Sequence, residues 1–420
     1  MLTRIGVLDG LWTATASVGS KLQVLVLIAA AGSLRGLGGT ADVILAVSIA
    51  LLCFAAIDMG LSLQATRLFA LGALIDRRSV LPAAFRRTLA YLPLTIAIAF
   101  PLVLRGRSPL EQLGWGIAIL AYGVGYQWSS LMTQVAWGRG AFKNSSALVG
   151  IVRLSTIPVF LGLATQEGLS PFVLVLAVAM GEICIATLQF RALTPASSKQ
   201  SAPSDALAIK NTYRLGVGSI CNTIMNKSDT VLVAVASSAA VATYGLASQV
   251  ENALGAAALI PAAAHITYSA KAATMKDAAQ AIATRVTAVV TVVYIIIGVP
   301  FLVWPLELTE FIFHVRPEDS SPMRLCVVAG LFSCIAGSGM QHLIGIGLSR
   351  MVATVWVCVT VVAVVGLTTG AAAGGAFGAA VGALVRDIVF FALVWGAIAR
   401  FYRRSKDSRR ISLTRVTASD

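Results

Sequence analysis

Nine ionisable side chains stand inside long apolar runs of this sequence: Lys21, Asp58, Arg153, Glu182, Lys227, Asp229, Glu251, Arg386 and Asp387. A charge at the centre of a bilayer costs at least about 2.5 kcal/mol, so residues of this kind persist where they face a polar pathway or one another, and by default they mark function. Their neighbours indicate which. Thr13, Ser17 and Lys21 recur at i, i+4 and i+8, and Asn222, Asn226 and Asp229 at i, i+4 and i+7; each set forms one polar stripe on a helix. Such a stripe needs water or protein opposite it. Lys21, Lys227 and Arg386 fall close to the middle of their runs, whereas Asp58, Glu182 and Arg153 lie within two turns of an end, where snorkelling or pairing inside a bundle is the alternative. Arg386 has Asp387 and Asp229 as candidate partners.

The runs that carry these charges set the class of the protein. Of the 420 residues, 57% are hydrophobic and 12% charged, and the mean hydropathy is +0.85. That leaves far too little polar surface for a water-soluble globule of this size. A bilayer core of about 30 Å takes roughly twenty apolar residues per helix. Runs of that length are expected near 11–32, 41–64, 86–104, 113–136, 147–165 and 171–190, then near 214–236, 241–266, 286–306, 324–347, 351–371 and 376–399. The fold class expected is therefore an all-α polytopic membrane protein with about 12 transmembrane helices in two six-helix lobes. The lobes would occupy 1–190 and 214–400, joined by a polar linker at 191–213 rich in Ser and Pro and followed by a basic tail at 401–420. Pro93, Pro158, Pro261, Gly298 and Pro300 inside the runs are expected to be ordinary bends.

The net charge of +14 would suit a nucleic-acid partner if the cations were clustered on a soluble surface, but their placement points elsewhere. With the N-terminus inside, the cytoplasmic breaks and the tail hold 23 lysines and arginines, and the opposite breaks hold Arg35, Arg105, Arg107, Arg316 and Arg324. Glu111, Glu167, Glu307, Glu310, Glu318 and Asp319 fall on that opposite side. The asymmetry reads as topology, with both termini cytoplasmic, and as contact with anionic headgroups. No nucleic acid is implied. The first run follows Arg4 without a small-residue cleavage site and is expected to be retained.

The remaining candidate chemistry is sparse. The six cysteines lie in apolar runs without CxxC or Cys/His spacing, and His265, His314 and His342 are scattered. There is no P-loop, HExxH or GxSxG, and Gly36-Leu37-Gly38-Gly39 belongs to a tight turn between two helices. No catalytic residue, metal site or resident cofactor is expected. The segment Ser20 to Val26 aligns faintly with Asn226 to Leu232, placing Lys21 and Lys227 at matching points of two parallel six-helix repeats.

Three stretches resemble the polysaccharide-transporter branch of the multidrug/oligosaccharidyl-lipid/polysaccharide (MOP) flippase superfamily. Arg35-Gly36-Leu37-Gly38-Gly39 leading to Ala56-Ile57-Asp58-Met59-Gly60-Leu61 is similar to the family's first two helices, and Asn226-Lys227-Ser228-Asp229 to its seventh. Ala242-Thr243-Tyr244-Gly245-Leu246-Ala247-Ser248 is similar to the start of its eighth, with Ala242 or Thr243 where a glycine is common. The resemblance implies a MATE-like fold working by alternating access. It would carry undecaprenyl-pyrophosphate-linked oligosaccharide repeats from the cytoplasmic to the periplasmic leaflet of the bacterial inner membrane, with a polysaccharide polymerase and export machinery as partners. Lys21, Arg153, Lys227 and Arg386 would then be cavity cations for the pyrophosphate. Asp229, Glu182, Glu251 and Asp58 would serve as counter-charges or coupling groups for protons or sodium ions. The rival within transport is a drug or cation antiporter of the same superfamily, which a cationic cavity disfavours. A membrane polysaccharide polymerase or ligase would act on the same lipids, but the longest external break, near 307–321, is short for a catalytic loop.

Overall fold

The computed structural model describes residues 2–70, 80–166, 168–193, 216–218, 220, 221, 223–225, 229–259, 269 and 276–417. The order is α1 (Leu2–Asp58), α2 (Leu61–Ala70), α3 (Leu81–Ala99), α4 (Pro109–Gly138), α5 (Phe142–Ala164), α6 (Phe172–Ala192), α7 (Asp229–Ala236), α8 (Val241–Ala258), α9 (Lys276–Val303), α10 (Pro305–Phe313), α11 (Ser321–Gly345) and α12 (Ser349–Thr417). Among the described residues no strand occurs. Seven helical stretches among the described residues are long and apolar enough to cross a bilayer, as expected for an integral membrane protein.

Two of those stretches are hairpins. The first folds back at Arg35 and Gly36 (φ −139°, then +59°), and α12 does so at Gly374 and Gly375 (φ −140°, then +57°). Glycine supplies the positive φ that lets a helix reverse without a loop. In α12 the arms then lie backbone to backbone, Gly366 against Gly382 and Gly370 against Gly378, a contact that leaves no room for a Cβ. α1 ends at a second break, Met59 (φ 42°) and Gly60 (φ 78°), which separates it from α2. The sequence reading carried this helix on to 64.

Pro93, Pro158 and Pro300 each lie inside a helix, and Pro261 lies outside the described residues. The external break expected at 307–321 is partly helical: Pro305 opens α10, whose Thr309 and Phe313 are buried. The tail is also helical as far as Thr417 and continues α12.

Among the described residues two large apolar cores stand beside two smaller clusters, one around Leu61 and Met132 and one around Ala16 and Val149. Of the large cores, one packs α1, α3, α4 and α6 around Trp115, Tyr91 and Ile119; the other packs α8, α9, α11 and α12 around Tyr244, Tyr294 and Phe390. Ile28 and Ile44 of α1 belong to the second core, and Val231, Ala234 and Val241 of α7 and α8 to the first. α1, α7 and α8 are therefore the elements through which the lobes meet.

Candidate functional site

In the C-terminal lobe one face of α8 presents Tyr244, Ser248 and Glu251, spaced i, i+4 and i+7. Asp229, in the first turn of α7, meets that face. Its Oδ2 accepts from the Tyr244 hydroxyl at 2.9 Å and from Ser248 Oγ at 2.5 Å, and its Oδ1 from the Thr230 N–H at 2.8 Å. The charge across from it is Arg386 of α12. Its Nε and Nη2 hold Asp387 in a fork at 2.9 and 2.7 Å, Nη2 also reaches Glu251 Oε1 at 3.2 Å, and Nη1 donates to the Met225 carbonyl at 2.9 Å. Arg386, Asp387, Asp229 and Glu251 are 2%, 0%, 2% and 7% exposed, so Asp387 and Glu251 share one guanidinium out of water while Asp229 is held by the neutral groups of Tyr244 and Ser248. Only planar, multi-donor geometry makes such burial tolerable. Glu251 Oε2 has no hydrogen-bond partner among the described residues.

The N-terminal lobe holds a simpler pair. Arg153 of α5 grips Glu182 of α6 at 2.8 and 3.1 Å, and Ser129 of α4 donates to the same carboxylate. Thr156, one turn on from Arg153, accepts from Gln23 of α1 at 3.1 Å and ties this cluster to the interface helix.

Asp58 has a local role. Its carboxylate receives the Ser62 N–H and hydroxyl, at 3.3 and 2.8 Å, across the Met59-Gly60 break. It thus caps the start of α2, while Arg87 of α3 donates to its backbone carbonyl.

Between the lobes lies a narrow cleft of about 60 Å³, lined from one side by Ser20, Lys21, Ser48 and Tyr126 and from the other by Gln249 and Asn252. Lys21 also lines a second, apolar groove of about 320 Å³. There it meets Leu22 and Leu25 of α1, Val250 and Leu254 of α8, Phe301 of α9 and Phe313 of α10. Lys21 is therefore common to the polar cleft and the apolar groove. The lobes close around it. Thr230 donates to Ser48 at 2.7 Å, Gly216 sits against the Met59 backbone, and Gly32 sits against the Phe313 carbonyl.

Of the four cations expected to face a cavity, Lys21 does so. Arg153 and Arg386 are instead held in ion pairs inside their own lobes, because each has a carboxylate within reach and the cleft does not extend to it. Lys227 lies outside the described residues, as do Asn222, Asn226 and the side chains of Thr13 and Ser17. Among the expected carboxylates, Asp229 and Glu251 come together and Glu182 joins Arg153. Sequence reasoning missed the neutral partners Tyr244, Ser248, Ser48, Gln249 and Asn252, although Tyr244, Ser248 and Asn252 share the i+4 period of α8.

No protein-family model matches the chain, and no curated protein matches it. Solved structures do. An inward-facing multidrug resistance MATE family transporter of the MOP superfamily superposes with TM-score 0.70 at 13% identity, covering 91% of this chain and 96% of that one. An outward-facing one gives 0.66 at 15%, covering 95% and 96%. A MOP superfamily transporter from Pyrococcus furiosus, for which reverse polarity of the binding pocket suggests a different function, gives 0.63 at 13%, covering 94% and 95%. At such identities the likeness shows the fold: an all-α, two-lobed membrane architecture of the MATE type.

Proposed function

We propose that this protein is an alternating-access transporter whose substrate is an anionic amphiphile, a pyrophosphate-linked lipid oligosaccharide moved between leaflets. The observation that carries this reading is Lys21, shared by the polar cleft and the apolar groove. A pyrophosphate bound at the ammonium group would leave its sugar toward Ser48, Tyr126, Gln249 and Asn252, groups that hydrogen-bond hydroxyls. Its isoprenoid chain would lie along Leu22, Leu25, Leu254 and Phe301. A cavity of about 60 Å³ does not admit an oligosaccharide, so the lobes must part at Met59-Gly216 or at Gly32-Phe313 before substrate enters.

The Asp229, Glu251, Arg386 and Asp387 cluster is the coupling element in this scheme. Its three carboxylates exceed its one cation, and Glu251 Oε2 stands unpartnered among the described residues. Uptake of a proton there would satisfy that oxygen and reduce the charge excess. By the placement of its cations both termini would be cytoplasmic, and by its resemblance to polysaccharide transporters the protein would lie in a bacterial inner membrane next to polymerase and export partners.

A drug or cation antiporter is the second reading, favoured by the MATE transporters that share the fold. Binding to the purified protein separates the two. Polyprenyl pyrophosphate is expected to stabilise the wild type against heat and Lys21→Ala much less. Stabilisation by a lipophilic organic cation in place of the pyrophosphate, undiminished in Lys21→Ala, would favour antiport.

A further inference from the structure

A second cavity lies far from the cleft, where the last transmembrane pass leaves the membrane. It has a volume of about 240 Å³ and is walled by Gln280, Ala283 and Thr284 of α9 and by Trp395, Tyr402 and Arg403 of α12. Two of these walls are fixed from behind by α11. The Tyr402 hydroxyl hydrogen-bonds His342 Nε2 at 2.9 Å, with His342 Nδ1 in turn bonded to Ser269 Oγ at 2.8 Å, and Trp395 Nε1 donates to the Ile335 carbonyl at 3.3 Å. The aromatic groups are therefore preset. Arg403 is exposed at the mouth, Arg400 is exposed one turn before it, and the helix beyond carries Arg404, Lys406, Arg409 and Arg410.

We propose that this cavity is a binding site for the headgroup of an anionic phospholipid, phosphatidylglycerol being the model ligand. Its position supplies the first argument: the apolar stretch of α12 ends at Arg403, so the cavity opens at headgroup depth, where tryptophan and tyrosine are favoured. Its chemistry supplies the second. The inner wall is apolar and the mouth is cationic, which matches a phosphate ester with glycerol carbons behind it, and basic pockets between transmembrane helices recognise such headgroups. Its size supplies the third, since drug-sized ligands occupy about 300 Å³ or more, and this cavity is smaller. The phosphate would meet Arg403 and the Gln280 amide. Thr284 Oγ donates to the Gln280 carbonyl at 3.1 Å, leaving its oxygen lone pairs to accept from a headgroup hydroxyl. A lipid seated here bridges α9 and α12 and braces the His342–Tyr402 contact, so it would stabilise the C-terminal lobe.

Thermal unfolding and native mass spectrometry of the delipidated protein in detergent test this, with phosphatidylglycerol, phosphatidylcholine and inorganic phosphate as separate additions. Phosphatidylglycerol should raise the midpoint and the other two should not. Arg403→Gln should weaken apparent affinity for it about fivefold, the change expected on losing one basic residue at an anionic surface. Ala399→Trp, at an exposed position on the cavity rim, keeps every charge and fills the space, and it should abolish the shift while the protein itself remains folded. Equal stabilisation by phosphatidylcholine or by inorganic phosphate would overturn the assignment to an anionic lipid. Unchanged binding in Ala399→Trp would place the lipid on the basic tail and overturn the cavity.

Discussion

Arg386→Gln is expected to destabilise the protein by roughly 3–5 kcal/mol, the cost of removing one partner from a buried ion pair. The structure explains why the value belongs at the upper end of charge effects. The guanidinium makes two bonds to Asp387, one to Glu251 and one to the Met225 carbonyl. Glutamine restores at most part of this and leaves two carboxylates, 0% and 7% exposed, facing each other without a cation. Arg35→Gln provides the contrast, because its partner Glu111 is a surface group and the pair is 42% and 30% exposed; its loss should cost about 1 kcal/mol or less. Adding Asp387→Asn to Arg386→Gln removes the stranded charge and should recover at least about 2 kcal/mol, the coupling expected of residues in one network. Equilibrium unfolding in mixed micelles, followed by tryptophan fluorescence, measures these variants together with the wild type and the Asp387→Asn single variant. If Arg386→Gln costs no more than Arg35→Gln, or if the two C-terminal-lobe substitutions are additive, the cluster does not have the energetics assigned to it.

Three further outcomes follow from the same geometry. Asp229→Asn keeps an oxygen for the Thr230 N–H and a hydrogen-bonding group for Tyr244 and Ser248, so the amount of protein in the membrane should stay near normal while substrate export falls; both are read from membrane fractions and extracted lipid intermediates. Gly216→Leu places a side chain where the Met59 backbone now lies, so the lobes should part at that end, and a cysteine introduced at Ser20 in the cleft should react faster with a maleimide added from that side. A reporter fused at Ser201 should report the cytoplasm, and a periplasmic signal there would reverse the orientation.

The transmembrane runs were legible because their signal is local. The run near 113–136 became Pro109–Gly138, and that near 324–347 became Ser321–Gly345. The details that failed are set by single backbone conformations, as at Met59 and Gly60, or by a short helix such as α10 that hydropathy cannot distinguish from a loop. The buried charges were legible as a set, and among the pairs Arg386 with its neighbour Asp387 was legible too. Arg153 and Glu182 sit on consecutive helices, so their pairing was within reach of sequence reasoning. Arg386 and Glu251 are 135 positions apart, and only the packing of α8 against α12 brings them together. For Arg153 and Arg386 the sequence left two readings open, a cavity or a partner inside the bundle, and the carboxylates of Glu182 and Asp387 lie within reach of them. Asp58 looked like an intramembrane charge because the run appeared to continue past it; the break at Met59 makes it a cap.

The sidedness of a lipid-linked oligosaccharide tests the central claim most directly. Purified protein reconstituted into vesicles with a fluorescent polyprenyl-pyrophosphate oligosaccharide would be followed by a membrane-impermeant quencher. The wild type should transfer the label between leaflets, Lys21→Arg should retain part of that rate because it keeps the charge, and Lys21→Ala should fall to the rate of protein-free vesicles. Transfer by Lys21→Ala at the wild-type rate would contradict the assignment of Lys21 as the group that holds the pyrophosphate.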